Sequence, residues 1–544
     1  MQCDVCVIGS GAGAGGIIAE LSRAGKKVAV IEKGKFLKKE DFSKDEIAYT
    51  KRDIFTPNLK EEFHEIEEFY NGQWQTNTSY DLNWSLFNGN IVGGATNFMS
   101  GYFHRLRPND FKLLSTYGKI KGANIVDWPI SYEELEPYYT KIEEVVGISG
   151  KANNHKYEAP RSTKDFKYKA LAEHPISNII DKNCESLGIQ TIKTPRGIIS
   201  EGKDSRSSCY YSNYCGSYGC SSGAKSSSRE ALIEPNMKTN NITVVAESQV
   251  IKLVEENNKI TEIKYIDNKN ETKSLKAKVF VLSAGSIESI RLLLNSKSKN
   301  FKNGLGNNTN QVGKNVISTS GGIGSGEFNT DQIKELMTPG LFVNRSVIDW
   351  YYMKDYKGGL IDFLFEHANP MSRANSLKYD DHGNIIWGEK LQKKIFKNFT
   401  TTKRLNFETF IDWLPTDNTN VTVTEKKDKY NMPVAKLKFD MHPHDIKIAG
   451  ILDEKAKLIL REMGASDISS SVSQSPSPNL IAGGCRFGND KETSVLDKNC
   501  KVHDIENLFV VDGSFMPTGG SVPYTWTIYA NSFRVADFIK SNIS

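Results

Sequence analysis

The chain has 544 residues, with 70 basic and 65 acidic side chains and a formal net charge of +5. Charge this balanced and this scattered gives no nucleic-acid stripe, and no run reaches the roughly 18 apolar residues of a membrane helix. The length suits two domains or one large composite with a sizeable core. Eight cysteines in so long a chain do not make a disulfide scaffold. The opening MQCDVCVIGS lacks an export signal's basic region and apolar core, so a cytoplasmic protein is expected.

Residues 4–10 read as an apolar strand ending in glycine. The helical pattern that follows places Ile17, Ile18, Leu21 and Ala24 on one face and stops at Gly25. KVAVIE, residues 27–32, is a second buried strand, which completes a β-α-β unit. Gly9 permits the tight turn, and Gly11, followed by Ala12 and Gly13, lets the backbone approach a pyrophosphate at the helix N-terminus. The third fingerprint position is Ala14. Glu32, with Lys33 beside it, ends the second strand where a carboxylate accepts ribose hydroxyls and repels a 2′-phosphate. Cys3 and Cys6 lie at an odd offset on one strand, so they face opposite sides and suit packing rather than a metal clip.

Further along, IVGGATN supplies a tight backbone at Gly93 and Gly94, with Thr96 and Asn97 beside it. The stretch SSCYYSNYCGSYGCSSGAKSSS places Cys209, Cys215 and Cys220 in a Gly/Ser/Tyr-rich loop. Residues 250–254 and 279–285 read as strands flanking a turn-rich hairpin. The second leads through Ala284 and Gly285 into the helix SIESIRLLLNS. The segment 321–469 is aromatic in places and carries Asp349, Asp355, Asp362 and Glu366, a composition suited to a polyhydroxylated or cationic ligand or to an ordinary half-buried sheet. Near the end, an apolar strand reaches Asp512-Gly513-Ser514, and a long amphipathic helix begins after Pro523.

Taken together, GSGAGAGG with IEKG, VGGATN, WPISYEELEPYY, SAGSIESIRLLLNS, QVGKN, GGCRFGND and VVDGSFMPTGG resemble the glucose–methanol–choline (GMC) oxidoreductases over nearly the whole chain. The resemblance implies an enzyme with bound FAD, in which an alcohol loses its hydroxyl proton to a base and hydride to flavin N5. It implies an α/β plus α+β fold: a doubly wound, Rossmann-like FAD-binding domain and a substrate domain on an antiparallel sheet. The FAD-binding segments are expected at 1–130, 200–320 and 470–544, a connecting segment at 131–199, and the substrate domain at 321–469. By the same resemblance, Gly9, Gly11 and Ala14 meet the pyrophosphate and Glu32 the adenosine ribose. Gly94, Thr96 and Asn97 lie along the flavin, and the Val250 backbone faces adenine. Ala284 and Gly285 flank the dinucleotide, and Asp512 and Gly513 border the ribityl-pyrophosphate. The helix beginning at Thr525 aims its N-terminus at the flavin N1/O2 edge, where hydride arrival places negative charge.

The pattern fails at the base. The slot usually holding histidine reads Leu480, or Asn479 with one insertion, and Pro523 stands where a second histidine or asparagine is usual. Asn479 is a poor proton acceptor. Tyr524 is the most suggestive polar residue and serves as a base only if its pKa is lowered. His104, His442, His444 and His503 lie near family segments and suit surface or structural roles, and Cys485 suits packing. Some relatives hold a [3Fe–4S] cluster through three cysteines near the place of Cys209, Cys215 and Cys220; the spacing here is similar but not the same.

The expected substrate is an alcohol on a sugar or amino sugar, such as the 6′-hydroxymethyl of a paromamine-like aminoglycoside, with an unidentified electron acceptor and no nucleic acid or membrane insertion. The alternatives are the flavoprotein subunit of a respiratory gluconate or sugar dehydrogenase and a non-catalytic flavin-binding protein.

Overall fold

Val5, Cys6, Val7 and Ile8 are buried and form the inner end of β1 (Gln2–Ile8). In this computed structural model, residues 2–543 are described apart from 44, 47–57, 71, 85, 87, 88, 217, 355, 366–368, 381 and 475–479. The chain turns at Gly9 into α1 (Ala12–Arg23) and returns as β2 (Val28–Ile31), parallel to β1. The sheet continues with β3 (Ile242–Val245) beyond β2 and β4 (Thr272–Leu282) on the other side of β1. The strand Leu508–Val510 pairs with the inner end of β4, also in parallel. Four-residue β2 is buried throughout, as a parallel strand covered on both faces must be.

The segment around residue 260 carries the hairpin read from its sequence. Its turn signals bound a strand, Lys259–Ile266, which pairs antiparallel with Gln249–Glu256 on one side and the outer half of β4 on the other. Asn257 and Asn258 both take left-handed φ values, 53° and 62°, forming a two-residue turn that matches strand twist. The turn-rich hairpin expected between two flanking strands is built as a three-stranded antiparallel layer. From β4 the chain enters α2 (Ser286–Asn295).

The second large sheet is antiparallel throughout. Its order is Ser466–Val472, Ser320–Asn329, then β6 and β5, then Arg345–Val347 and Thr191–Lys193, where β5 is Gly359–Phe365 and β6 is Thr402–Ile411. The edge strand Thr191–Lys193 comes from the segment expected to be a connection. α3 (Pro443–Glu462) buries Ile448, Leu452, Ile459 and Leu460 along one side, against strands of this sheet. β5 is buried along its whole length, so its residues face core or neighbouring segments on both sides.

α4 (Thr525–Asn542) brings the chain back against α1. A Cβ on Gly16 would lie 2.7 Å from Ser532 Oγ and 2.8 Å from Phe533 Cδ2, so the glycine face of α1 is what lets α4 approach. Ser532 Oγ also donates to the Gly13 carbonyl (2.5 Å) and accepts from Ile17 N–H (3.3 Å), tying the two helices together. The result is a doubly wound α/β unit carrying an antiparallel second sheet. Among the described residues, no helix is long and apolar enough to cross a membrane.

Candidate active site

A cavity of about 540 Å³ runs between the two units, within the size range of ligand pockets. The β1–α1 turn forms one wall. A Cβ on Gly9, at φ +87°, would lie 2.3 Å from the Ser283 carbonyl oxygen, and one on Gly13 would lie 2.3 Å from that of Val511. These two glycines let three strand ends and a helix converge. Gly11 is different: a Cβ there would meet nothing within 4 Å. Gly11 is also the N-cap of α1 and offers no side-chain cap, and the first turn carries no acid. Unsatisfied helix N–H groups therefore face open space, which is what an anionic phosphate requires.

Glu32 lies at the same end, buried just past β2. Ser10 Oγ donates to Glu32 Oε2 (2.5 Å) and accepts from Gly93 N–H (2.8 Å), while Gly34 N–H donates to Glu32 Oε1 (2.9 Å). Burial raises the carboxyl pKa and outweighs those bonds. One short network thus joins the first turn, the second strand and the Gly93–Gly94 loop. Lys33 reaches Glu62 in an ion pair. Gly93 and Gly94 take φ of 95° and 58°, and a Cβ on Gly94 would sit 3.3 Å from Gly11 Cα. Thr96 Oγ1 donates to the Gly93 carbonyl and accepts from Ser228 N–H (3.0 Å).

Ala12, Val250, Ala284 and Gly285 line the same cavity, as do Asp512, Gly513, Pro523, Tyr524 and Thr525. Ala14, Gly93 and Asn97 stand outside the lining. Ala14 is core, and Asn97 holds the loop from within through bonds to the Val92 and Gly94 carbonyls. Asp512 accepts from Gly285 N–H (3.2 Å), Ser514 N–H (3.0 Å) and Ser514 Oγ (2.6 Å), and also from Ser289 Oγ. It thereby fixes the loop after β4 to the return strand, and burial raises its pKa.

The far wall comes from the antiparallel sheet and holds residues that sequence reading missed. Tyr102, Glu408 and Phe410 line the cavity there. Glu408 on β6 lies opposite Asp362 on β5 in the strand register. Burial, then the neighbouring Asp362, pushes the Glu408 carboxyl up to about 7, against the pull of Arg196. Asp362 is fully buried, bonded by Ser346 Oγ and 3.4 Å from His104 Nε2, so it is an internal anchor rather than part of a solvated rim. The Arg196 guanidinium stacks 3.7 Å from the Tyr102 ring centroid and donates to Asn344 Oδ1 (2.8 Å). Just past β6, Asp412 accepts from Gly519 N–H (2.7 Å) and Gly520 N–H (3.0 Å), which fastens the turn before Pro523 to this wall.

Tyr524 is buried at the start of α4, and its hydroxyl has no partner among the described residues. Burial first and Asp412 second push its pKa well above 10, opposite to the direction a proton acceptor needs. Asn479 lies outside the described residues, as do Asp355 and Glu366. No described histidine lines the cavity. His442 caps α3 through His444 N–H, and His503 bonds Ser494 Oγ. Cys209, Cys215 and Cys220 pack with Leu171, Ile198, Ile199 and Ala224. Among the described residues, no group of three or more His, Cys, Asp or Glu side chains is disposed to hold a metal. Cys485 is buried, and Cys6 sits in the core while Cys3 is only partly covered.

An uncapped, glycine-floored helix N-terminus, a buried carboxylate at the end of the second strand and a second helix start across one cavity define a dinucleotide-binding flavoprotein, and these residues fit FAD. Two family models, both described as GMC oxidoreductase, match residues 67–318 and 415–532. The chain belongs to the GMC oxidoreductases, FAD-dependent enzymes that oxidise alcohol groups. It is 28% identical to 2-methyl-1,2-propanediol dehydrogenase of Mycolicibacterium austroafricanum, over 100% of this chain and 96% of that one. It is 25% identical to paromamine 6′-oxidase of Streptomyces fradiae, over 99% and 92% of the two chains. Formate oxidase of Aspergillus oryzae shares the fold, with a TM-score of 0.65, 14% identity and coverage of 99% and 98%.

Proposed function

We propose that this enzyme oxidises a carbinol carbon of a small polyhydroxylated substrate, a sugar or amino sugar, to the aldehyde or ketone. The 6′-hydroxymethyl of a paromamine-like aminoglycoside is the leading candidate. The observation that carries this reading is the polar far wall of the cavity, where Tyr102 and Glu408 stand among apolar side chains. A few convergent polar groups on an apolar wall fix the orientation of a hydroxylated ligand. Similarity to a diol dehydrogenase and a paromamine oxidase points the same way.

In this reading, the α1 N-terminus at Gly11, Ala12 and Gly13 holds the pyrophosphate, and Glu32 holds the adenosine ribose. The Val250 backbone faces adenine, and Asp512 and Gly513 border the ribityl chain. Gly94 and Thr96 flank the isoalloxazine, while Asn97 shapes that loop. Bound FAD supplies a two-electron acceptor for hydride. Tyr524 lines the cavity at the start of α4, and its role in this reading is to orient the substrate. The FAD-binding, connecting and substrate segments divide near residues 130, 199, 320 and 469. A cytoplasmic setting belongs to this reading, since eight cysteines in 544 residues do not make a disulfide scaffold.

The test is anaerobic flavin bleaching by a panel: a paromamine-type aminoglycoside, fructose, gluconate, a 1,2-diol and a simple alcohol. Bleaching by a sugar or amino sugar supports the reading; an oxidised flavin with every member of the panel defeats it.

A further inference from the structure

The alcohol's hydroxyl proton needs an acceptor, and the usual histidine slot reads Leu480, or Asn479 with one insertion; Leu480 is a partly buried hydrophobic packed on the core. The carboxylates lining the cavity are Glu32, Glu288, Glu408 and Asp512. Three of them are engaged. Glu32 accepts from Ser10 and Gly34, and Asp512 accepts from the loop after β4 and from Ser514. Glu288 pairs with Arg291 (3.2 Å) and His64 (3.0 Å), which hold its carboxyl well below the usual range against its burial.

Glu408 alone among them has no hydrogen bond or ion pair to its carboxylate from the described residues. It stands on the antiparallel wall that Asp412 fastens to the turn leading into α4. Behind it, on the adjacent strand, Asp362 is held by Ser346 and His104. Arg196 and Tyr102 are the other charged or titratable groups coupled to it. A base flanked by one anion and one distant cation, in a partly desolvated wall, is built to hold a proton near neutral pH.

Resting on the function proposed above, we infer that Glu408 is the proton acceptor of the reaction. The substrate O–H proton would pass to a Glu408 carboxylate oxygen, and FAD, when bound, would supply the acceptor for the hydride of the same carbon. The C–O bond becomes C=O, and Glu408 then releases its proton through the open cavity. The acid raised to about 7 is half ionised at that pH, so the rate rises with pH through that region. Asp362 and His104 are positioning residues, because they act on the substrate only through Glu408.

The test compares holoenzyme with Glu408→Gln and Glu408→Asp. Glu408→Gln is expected to slow anaerobic flavin reduction about 10²- to 10⁴-fold and to abolish its rise with pH, while FAD affinity is retained. Glu408→Asp keeps part of the rate and the pH dependence. Infrared difference titration of the holoenzyme is expected to show one carboxyl titrating near neutrality that disappears in Glu408→Gln. Unchanged reduction and pH profile in Glu408→Gln overturn the inference while leaving the alcohol oxidation intact. So does a variant that reduces normally at saturation but binds only amine-bearing substrates more weakly, which assigns Glu408 to an ammonium. A wild-type flavin that no alcohol reduces sinks both the inference and the function beneath it.

Discussion

Two glycines in the same turn carry opposite expectations, although both belong to one sequence fingerprint. A methyl on Gly13 would sit 2.3 Å from the Val511 carbonyl oxygen and 2.8 Å from Ser283 Oγ. Backbone must shift to admit it, and overpacking of this kind costs about 1–3 kcal/mol of stability. A methyl on Gly11 meets nothing within 4 Å, and Gly11 has an ordinary φ of −70°. Replacing an N-cap glycine by alanine costs the fold less than about 1 kcal/mol. The Gly11 methyl would occupy the space through which the pyrophosphate reaches the α1 N–H groups. Loss of one charge-assisted hydrogen bond is worth about 1.5–3 kcal/mol, or about a 10- to 150-fold rise in FAD Kd. Thermal unfolding of apoprotein and FAD titration by fluorescence quenching separate the two effects. Gly13→Ala lowers the apoprotein midpoint, whereas Gly11→Ala spares it and weakens FAD. The reasoning is refuted if Gly11→Ala binds FAD like wild type, or if it destabilises the apoprotein as much as Gly13→Ala.

The folded protein holds the Glu408 proton up to about pH 7, whereas an unfolded glutamate releases it near 4.5, so stability falls as pH rises across that window. Glu408→Gln removes that loss, and its stability advantage over wild type grows by roughly 2–3 kcal/mol between those pH values; a pH-independent difference in chemical denaturation contradicts this. Tyr524→Phe deletes a buried, unpartnered hydroxyl, so the apoprotein gains about 1 kcal/mol while substrate binds several-fold more weakly; a destabilised variant would point to a partner for that hydroxyl. Asp512→Ala strands the donors on Gly285, Ser289 and Ser514 and costs about 3 kcal/mol, visible as a lower melting temperature and reduced FAD content after purification.

The cofactor half of the molecule was readable because its information is local. Gly9, Gly11 and Gly13 fall within five residues, and Glu32 follows at the end of a four-residue buried strand. The Asp512 turn carries an equally local signature. The substrate half is encoded in long-range pairing. Glu408 and Asp362 meet only because β6 and β5 run antiparallel in one register, 46 residues apart in sequence, and Arg196 arrives from a third segment. No short window reports that meeting. The strand Lys259–Ile266 falls inside the stretch that reads as a turn-rich hairpin, and Asn257 and Asn258 make its first turn. Tyr524 illustrates a different limit: its polarity is visible in sequence, but the burial that raises its pKa is a property of packing. Thr191–Lys193 joins the second sheet at its edge, a three-residue strand too short for any periodic pattern.

The most direct measurement is anaerobic stopped-flow reduction of the FAD holoenzyme by a sugar or amino-sugar alcohol and by the same alcohol deuterated at the carbinol carbon. The account predicts that the flavin bleaches, that deuterium slows bleaching several-fold, and that the product carries one new carbonyl. A flavin that stays oxidised with every alcohol, or one that bleaches without forming a carbonyl, contradicts it.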